Sequence, residues 1–151
     1  MNISDVLALD HVWLGESVSS PAQLFDLIAK RLSSRRDIQS DQIAQALIER
    51  EKLGSTAVGD GVATPHARFV GLQEVIGIFV RPRQGLEMDA LDGKPVNLLF
   101  ILLAPDHANA DHLKALARVS RVMRSSENQA ILRLSESTEA IFSVLISEDD
   151  A

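Results

Sequence analysis

The chain has no cysteine and no tyrosine, and it has only one tryptophan and five phenylalanines in 151 residues. Without cysteine it cannot form disulfides or thiolate metal sites, which fits the reducing cytoplasm where we expect it to act. With so few aromatic residues, its core must be built mainly from Leu, Ile, Val and Ala. No apolar run approaches the length of a membrane span, and the first residues lack the basic start of a signal peptide, so no membrane insertion is expected.

Acidic residues outnumber basic ones, and the formal net charge is −6. Binding to nucleic acid depends on Lys and Arg that neutralise phosphates, so this composition argues against a general nucleic-acid binder. An acidic surface instead favours a basic protein partner. The length fits one domain over residues 1–151, because there is no internal repeat, low-complexity segment or linker. Residues 1–15 and 147–151 are expected at its periphery, and the acidic end is expected to fray.

The first third of the chain has the periodicity of two helices. Ser20 is a predicted N-cap, Pro21 suits the first helical position, and Gln23 can complete a capping box. Ser40 is expected to cap the second helix, and Gly54 is a natural stop for it. These signals predict a helical pair before the first strand.

The middle of the chain has the pattern of strands, and the last third returns to helices. A strand that is apolar on both faces, such as 96–103, needs cover on both sides of its sheet. The simplest architecture is one α/β domain with a mixed central β-sheet flanked by helices on both faces. The strands expected here are 57–58, 62–63, 74–81 and 96–103, with a turn at Asp92-Gly93. Three helices are expected after them: one from Asn109, as the N-cap, to Arg124, one over 127–134 and one over 138–146.

One segment, from Gly59 to His66, places a histidine directly after a proline. Two glycines flank Asp60 and permit a tight turn or positive φ. Pro65 fixes its own φ and pushes Thr64 into an extended conformation. A side chain that follows such a segment is held in one place, and if it is exposed, that placement suits a nucleophile. The alternative is that His66 is only a turn residue between strands.

His112 is the second histidine whose position indicates chemistry. With Asn109 as the cap, it lies in the first turn of its helix, where free N–H groups and the helix dipole attract anions such as phosphate. A neutral imidazole there can donate a hydrogen bond to a phosphoryl oxygen. The alternative is a histidine bonded to a nearby carbonyl group. We interpret His107 as an exposed loop residue, and nothing around His11 indicates a function.

Two arginines lie near these histidines in the sequence or the expected fold. Arg50 borders the apolar face of the second helix near its C-terminus, so its guanidinium can face the His66 site, or only its stem packs while its head reaches water. Glu51 could hold Arg50 or another donor in place. Arg68 could assist an incoming phosphate or partner, or it could be solvated.

Four sequence blocks, in this order, resemble the enzyme IIA domains of the fructose, mannitol and nitrogen-related phosphotransferase systems. They are Glu-Arg-Glu-Lys-Leu-Gly-Ser-Thr at 49–56, Gly-x-Gly-x-Ala-x-Pro-His ending at His66, Leu-Asp-Gly-Lys-Pro-Val-Asn-Leu-Leu-Phe at 91–100, and His-Leu-Lys-Ala-Leu-Ala at 112–117. The resemblance spans about residues 20–144. It implies a mixed sheet flanked by helices, in agreement with the fold expected from periodicity.

The resemblance also implies a chemistry. His66 would be the phospho-acceptor, His112 the supporting histidine, and Arg50 and Thr56 would support the phosphate site. Phosphate would come from a phosphohistidine on a phosphocarrier protein of the HPr type, and no metal or other cofactor would be needed, because the leaving imidazole departs without a Lewis acid. The Arg-Glu-Lys-Leu-Gly-Ser-Thr block is most like the nitrogen-related regulatory type, which regulates targets such as transporters or kinases according to its phosphorylation state.

Three other functions stay open at this point. A free-standing sugar-uptake enzyme IIA would pass its phosphate to an enzyme IIB. A metal-dependent hydrolase would use His66, His107, Asp111 and His112, although their spacing matches no strong zinc pattern. A binding module that has lost phosphotransfer is the third, and the presence of both His66 and His112 argues against it.

Overall fold

The central strand of the fold, Leu98–Pro105, has all eight of its residues buried. The computed structural model describes residues 1–35, 38–108 and 110–149. Within these residues the helices are α1 Pro21–Leu32, α2 Ile43–Lys52, α3 Asp111–Arg124, α4 Ser126–Leu134 and α5 Thr138–Leu145, with short 3-10 helices at Ile3–Asp5 and Ser40–Gln42. The strands are β1 Leu7–Glu16, β2 Ala57–Gly59, β3 Val62–Ala63, β4 His66–Phe69, β5 Ile76–Pro82 and β6 Leu98–Pro105.

These strands form one mixed sheet. Its order is β1-β5-β6-β3-β2, and β4 pairs with β6 beyond the end of β3. β1 runs parallel to β5, and both β3 and β4 run parallel to β6, whereas β5 and β6 are antiparallel, as are β2 and β3. The predicted mixed sheet is therefore confirmed.

Helices cover both faces of the sheet, as the apolar pattern of β6 predicts. Alternate residues of β6 belong to two separate cores: Leu99, Ile101 and Leu103 pack with α1 and α2, and the residues between them pack with α3, α4 and α5. Because side chains alternate across a strand, a fully apolar strand can serve two cores at once. The predicted single α/β domain is confirmed by this two-sided core.

The two predicted helix starts differ in detail. Ser20 caps α1, where its Oγ accepts from the backbone N–H of Gln23 at 3.2 Å, and Pro21 is the first helical residue. Gln23 reaches back one residue further than predicted, because its Oε1 accepts from the N–H of Ser19 at 2.9 Å. Ser40 does not cap α2: it begins a 3-10 helix that leads directly into α2.

The two ends of the chain contact each other, and β1 is an edge strand of the sheet. β1 falls largely within residues 1–15, which were expected at the periphery, and Ile3 and Val12 are buried. The backbone N–H groups of Ile3 and Ser4 donate to the carboxylate of Asp149 at 2.7 and 2.9 Å. The two ends of the chain are thereby joined, and Asp149 does not fray.

The remaining elements follow the predictions with shifted ends. Asp92-Gly93 does form a turn, with Gly93 at a φ of +71°, but it closes a loop whose base is the single bridge between Leu86 and Val96. Strand β4 was not expected. The predicted cap Asn109 and the tail residue Asp150 lie outside the described residues.

Candidate functional site

His66 begins strand β4, so the sheet fixes its backbone. It pairs with Leu102 of β6, whose N–H donates to the carbonyl oxygen of Pro65 at 2.9 Å. One residue earlier, the N–H of Thr64 donates to the carbonyl oxygen of Thr56 at 3.1 Å. His66 is therefore a strand residue with a hydrogen-bonded segment before it, and not a turn residue.

The turn that precedes this segment has the backbone conformation that its glycines predict. Gly59, Asp60 and Gly61 have φ values of 97°, 55° and 77° between β2 and β3. The N–H of Asp60 donates to the carboxylate of Asp92 at 2.9 Å, and the N–H of Lys94 donates to the same carboxylate at 3.1 Å. These two hydrogen bonds, that of Asp60 above all, lower the pKa of Asp92 below its ordinary value.

The imidazole of His66 is held through one of its nitrogens. Nδ1 lies 2.9 Å from the carbonyl oxygen of Thr64. A carbonyl oxygen can only accept, so Nδ1 carries a proton, and in the neutral ring Nε2 keeps its lone pair. The ring is partly exposed. In the neutral ring, an oriented Nε2 lone pair is thus within reach of a reactant.

The ring of His66 borders a cavity of about 560 Å³ between α2, β4 and the start of α3. His112, Arg50 and Arg68 border the same cavity, so the structure brings together the two candidate histidines and both candidate arginines. Most of the other lining side chains are apolar. The remaining lining residues are Ala46, Glu49, Leu53, Ala67, Leu102, Ala104 and Leu113.

His112 lies in the first turn of α3, as predicted, and is only 6% exposed. The guanidinium of Arg68 lies against its ring. Nε of Arg68 donates to Nε2 of His112 at 3.2 Å, and Nη2 lies 2.9 Å from Nε2 and 3.4 Å from Nδ1. Because arginine is always protonated and only donates, a ring nitrogen that accepts from it must be unprotonated. The contact therefore requires a neutral His112.

Arg50 lies in the last turn of α2, where its Nη1 donates to the carbonyl oxygen of Gly54 at 2.9 Å. A cation at this position also interacts favourably with the negative end of the helix dipole. Its head is therefore attached to the end of its own helix at the border of the cavity, and does not simply extend into water.

Thr56 does not line the cavity, and it is only 5% exposed. Its hydroxyl and its N–H both donate to the carboxylate of Glu51. Glu51 therefore holds a donor in place, as one interpretation of the sequence expected, and that donor is Thr56.

The other two histidines lie elsewhere. The side chain of His107 is 73% exposed beside Asp106, and His11 packs edge-on against Trp13 on β1. In the described part of the chain, no three His, Asp or Glu side chains are grouped so that they could hold a metal ion, and the side chain of Asp111 is outside that part. None of the helices there is long and apolar enough to cross a membrane.

The contact between Arg68 and His112 is the feature of the site that the sequence analysis missed. Its signal was present: in a strand, residues i and i+2 point to the same side, which puts Arg68 beside His66. That signal could be used only if β4 was known to be a strand. The carbonyl group of Thr64 had no signal, because any residue supplies one.

Comparisons with known proteins agree on one family. The family model described as "Phosphoenolpyruvate-dependent sugar phosphotransferase system, EIIA 2" matches residues 5–148. A nitrogen regulatory protein of Bradyrhizobium diazoefficiens is 39% identical over 145 residues, which are 96% of this chain and 95% of that protein.

Solved structures have the same fold. The nitrogen regulatory protein IIA-Ntr of Neisseria meningitidis superposes with a TM-score of 0.88 at 36% identity, over 95% of this chain and 98% of that one. The mannitol enzyme IIA of Escherichia coli, solved in complex with phosphorylated mannitol enzyme IIB, has a TM-score of 0.75 at 16% identity, over 95% of this chain and 100% of that one.

Proposed function

Because this chain belongs to the EIIA 2 family of the phosphoenolpyruvate-dependent sugar phosphotransferase system, we propose that it is a regulatory phosphotransfer protein that accepts a phosphoryl group on Nε2 of His66. The observation that carries the proposal is a partly exposed imidazole whose Nδ1 is held by the carbonyl group of Thr64. The histidine and arginines around the same cavity support it.

The chemistry is an in-line transfer between two imidazoles. The donor is a phosphohistidine on a carrier protein of the HPr type. The lone pair on Nε2 of His66 attacks phosphorus, a new N–P bond forms, and the N–P bond of the donor breaks with its electron pair remaining on the donor ring. The acceptor ring then bears both the phosphoryl group and the Nδ1 proton, and the carbonyl group of Thr64 stabilises the positive charge that this creates.

The protein contributes position and charge to this reaction. Phosphoryl transfer needs little covalent chemistry from a protein, so alignment and stabilisation of the phosphoryl oxygens provide most of the catalysis. Arg50 and Arg68 bring positive charge to the cavity, and His112 lies between the start of α3 and the guanidinium of Arg68. No step calls for a metal ion, because the donor imidazole is itself a good leaving group.

Thr56 supports the site without touching the phosphate. Its hydroxyl is fixed by Glu51, and its carbonyl oxygen accepts from the N–H of Thr64 at 3.1 Å. Thr64 in turn supplies the carbonyl group that orients His66. A chain of hydrogen bonds therefore runs from α2 to the acceptor ring.

The surface around the cavity suits a protein donor. Leu53 and Leu113 line the cavity and are 85% and 53% exposed. Exposed apolar side chains around a polar centre are typical of a protein-binding site. A carrier whose phosphohistidine is surrounded by apolar residues would cover both leucines while its phosphate enters the cavity.

We assign the regulatory role, and not sugar uptake, because the relatives at 39% and 35% identity are named nitrogen regulatory proteins, whereas a fructose-specific EIIA component of similar length is 30% identical. In this role the protein acts in the cytoplasm on targets such as transporters or kinases. Phosphorylation adds up to two negative charges beside Leu53 and Leu113. A target that binds this surface would therefore distinguish the two states by charge.

The test is a phosphorylation assay with phosphoenolpyruvate, the general enzyme of the system and its carrier. Wild type and His107→Ala, which removes an exposed histidine outside the cavity, should both acquire a phosphate that is labile in acid and stable in base. His66→Ala should acquire none, while its melting temperature stays close to that of the wild type. Equal labelling of His66→Ala would refute the proposal.

A further inference from the structure

His112 meets a cation at the place where the family resemblance expected it to meet phosphate. Two nitrogens of Arg68 lie 2.9 and 3.2 Å from Nε2 of His112. In this arrangement Nε2 of His112 accepts and cannot donate to a phosphoryl oxygen. The donor next to the ring is the guanidinium. Its third nitrogen, Nη1, makes no hydrogen bond within the described residues.

Arg68 is well placed to reach a phosphoryl group on His66. Ala67 and Phe69 pack into the core under α1 and α2, so His66 and Arg68 lie on the opposite side of β4. Their Cα atoms are about 6.6 Å apart, from the rise of a strand. An arginine side chain spans that distance, and both residues border the same cavity.

Arg50, the arginine that the sequence analysis favoured, also borders the cavity, but its head is held at the end of α2. Its Nη1 is bonded to the carbonyl oxygen of Gly54 at the end of α2. Within the described residues Arg68 has no bond to a backbone carbonyl group, and its side chain is exposed. Its partner is a neutral ring, so a doubly charged phosphoryl group would be a stronger acceptor for the remaining N–H groups of the guanidinium.

We propose that Arg68 is the residue that binds the phosphoryl oxygens on His66, and that His112 is a positioning residue that holds the Arg68 guanidinium over the cavity. This inference rests on the proposed phosphorylation of His66. It reverses the expected order of roles: the histidine does not contact the phosphate but orients the cation that does. A guanidinium offers several N–H groups in one plane, so it can keep a contact with His112 while it donates to phosphate oxygens.

The two roles predict that substitutions at the two positions will not be additive. Loss of Arg68 removes the donor, and loss of His112 then has nothing left to orient. We expect Arg68→Ala to slow phosphorylation of His66 about ten- to a hundredfold, the effect of one hydrogen bond to a charged group. His112→Phe keeps the bulk of a ring and removes both nitrogens, and it should slow transfer less.

The experiment is a double-mutant cycle with single-turnover phosphorylation by the phosphorylated carrier. Arg68→Ala combined with His112→Phe should be no more than about threefold slower than Arg68→Ala alone. If the two effects multiply, His112 acts on the phosphate by itself and the proposal is wrong. Residues that act as one unit show this kind of coupling, whereas independent residues do not.

The control is Arg83→Ala, which removes the same charge at the opposite end of the sheet. Arg83 follows β5 near the start of β6, whereas β4 pairs with the last four residues of β6. Its rate should match that of the wild type. A rate for Arg68→Ala within twofold of that for Arg83→Ala would overturn the role of Arg68.

The ³¹P spectrum of the phosphorylated protein gives a second readout that a merely structural role would not move. Arg68→Ala and His112→Phe should shift the phosphohistidine resonance in the same direction, and Arg83→Ala should leave it in place. An unshifted resonance in Arg68→Ala would refute direct contact with the phosphate. The wild type separates this inference from the proposed function. If the wild-type protein is not phosphorylated on His66, the proposed function itself is wrong. If the wild type is phosphorylated on His66 and Arg68→Ala has the same rate and resonance, only this inference is wrong.

Discussion

Substitution of Thr56 by valine tests whether the hydrogen bonds behind His66 stabilise the fold. Thr56 is 5% exposed, and its hydroxyl donates to the carboxylate of Glu51, which also accepts from the N–H of Thr56 at 3.3 Å. Valine has the same shape and lacks the hydroxyl. Thr56→Val therefore leaves a partly buried carboxylate short of one donor without creating a cavity.

The size of the effect follows from the charge and exposure of Glu51. A hydrogen bond to a charged group contributes about 1.5–3 kcal/mol to the free energy of unfolding. Glu51 is only partly buried, so water can replace some of the lost interaction, and we expect a value near 1.5 kcal/mol. For a domain of this size, one kcal/mol lowers the melting temperature by about 2–4 °C, so Thr56→Val should melt about 3–6 °C lower.

Thr138→Val is the matched control, because it removes the same kind of bond at the surface. The hydroxyl of Thr138 donates to the carboxylate of Glu139 at 3.2 Å, and Glu139 is exposed. Its loss should change the free energy of unfolding by less than about 0.5 kcal/mol. The assay is thermal unfolding followed by circular dichroism. Equal melting temperatures for the two variants would refute the argument, since burial of the bond would then have no effect.

Two further predictions concern the turn before His66. Gly61→Ala should lower the free energy of unfolding by more than about 1 kcal/mol in a chemical denaturation experiment. The reason is that φ at Gly61 is 77° and the new Cβ would lie 2.8 Å from Oδ1 of Asn97. A stability equal to that of the wild type would contradict this prediction. Two backbone hydrogen bonds lower the pKa of Asp92 in the folded state, so the ionised carboxylate stabilises the fold. This stabilisation is fully present above the pKa of the unfolded state, and it is lost as the pH falls through the lower pKa of the folded state. Asp92→Asn should therefore show a smaller fall in melting temperature below about pH 4 than the wild type does, and identical acid profiles would rule this out.

Most of the fold could be predicted because its signals are local and long. An eight-residue apolar run such as Leu98–Pro105 indicates a strand with cover on both faces, and Ser20 with Pro21 indicates a helix start. β4 could not be predicted, because it has four residues, and two of them, His66 and Arg68, are polar. Its strand conformation comes from its neighbour β6, and not from its own propensity.

The candidate site also has residues that local sequence signals could identify and contacts that they could not. His66 stands out through the arrangement of glycines and proline before it, and His112 through its place in the first turn of its helix. Their relation to Arg68 depends on the register between β4 and β6 and on how α3 packs, and both are long-range properties. Arg50 lies near the C-terminus of its helix, as predicted. Its bond to Gly54 could not be predicted, because it depends on how the chain turns after α2.

The position of His66, the proposed phospho-acceptor, combines two requirements that conflict in most parts of a protein. A phospho-acceptor must be rigid, so that its lone pair points at phosphorus, and it must also be open to a donor on another protein. A core histidine meets only the first requirement, and a loop histidine only the second. β4 is paired on one side by β6 and, among the described strands, by none on the other, so its backbone is fixed while its second edge stays open. An open edge invites unwanted pairing, which short strands with charged residues resist. In four residues β4 carries one such charge, on Arg68, so the residue proposed to bind the phosphate also helps to protect this edge from unwanted pairing.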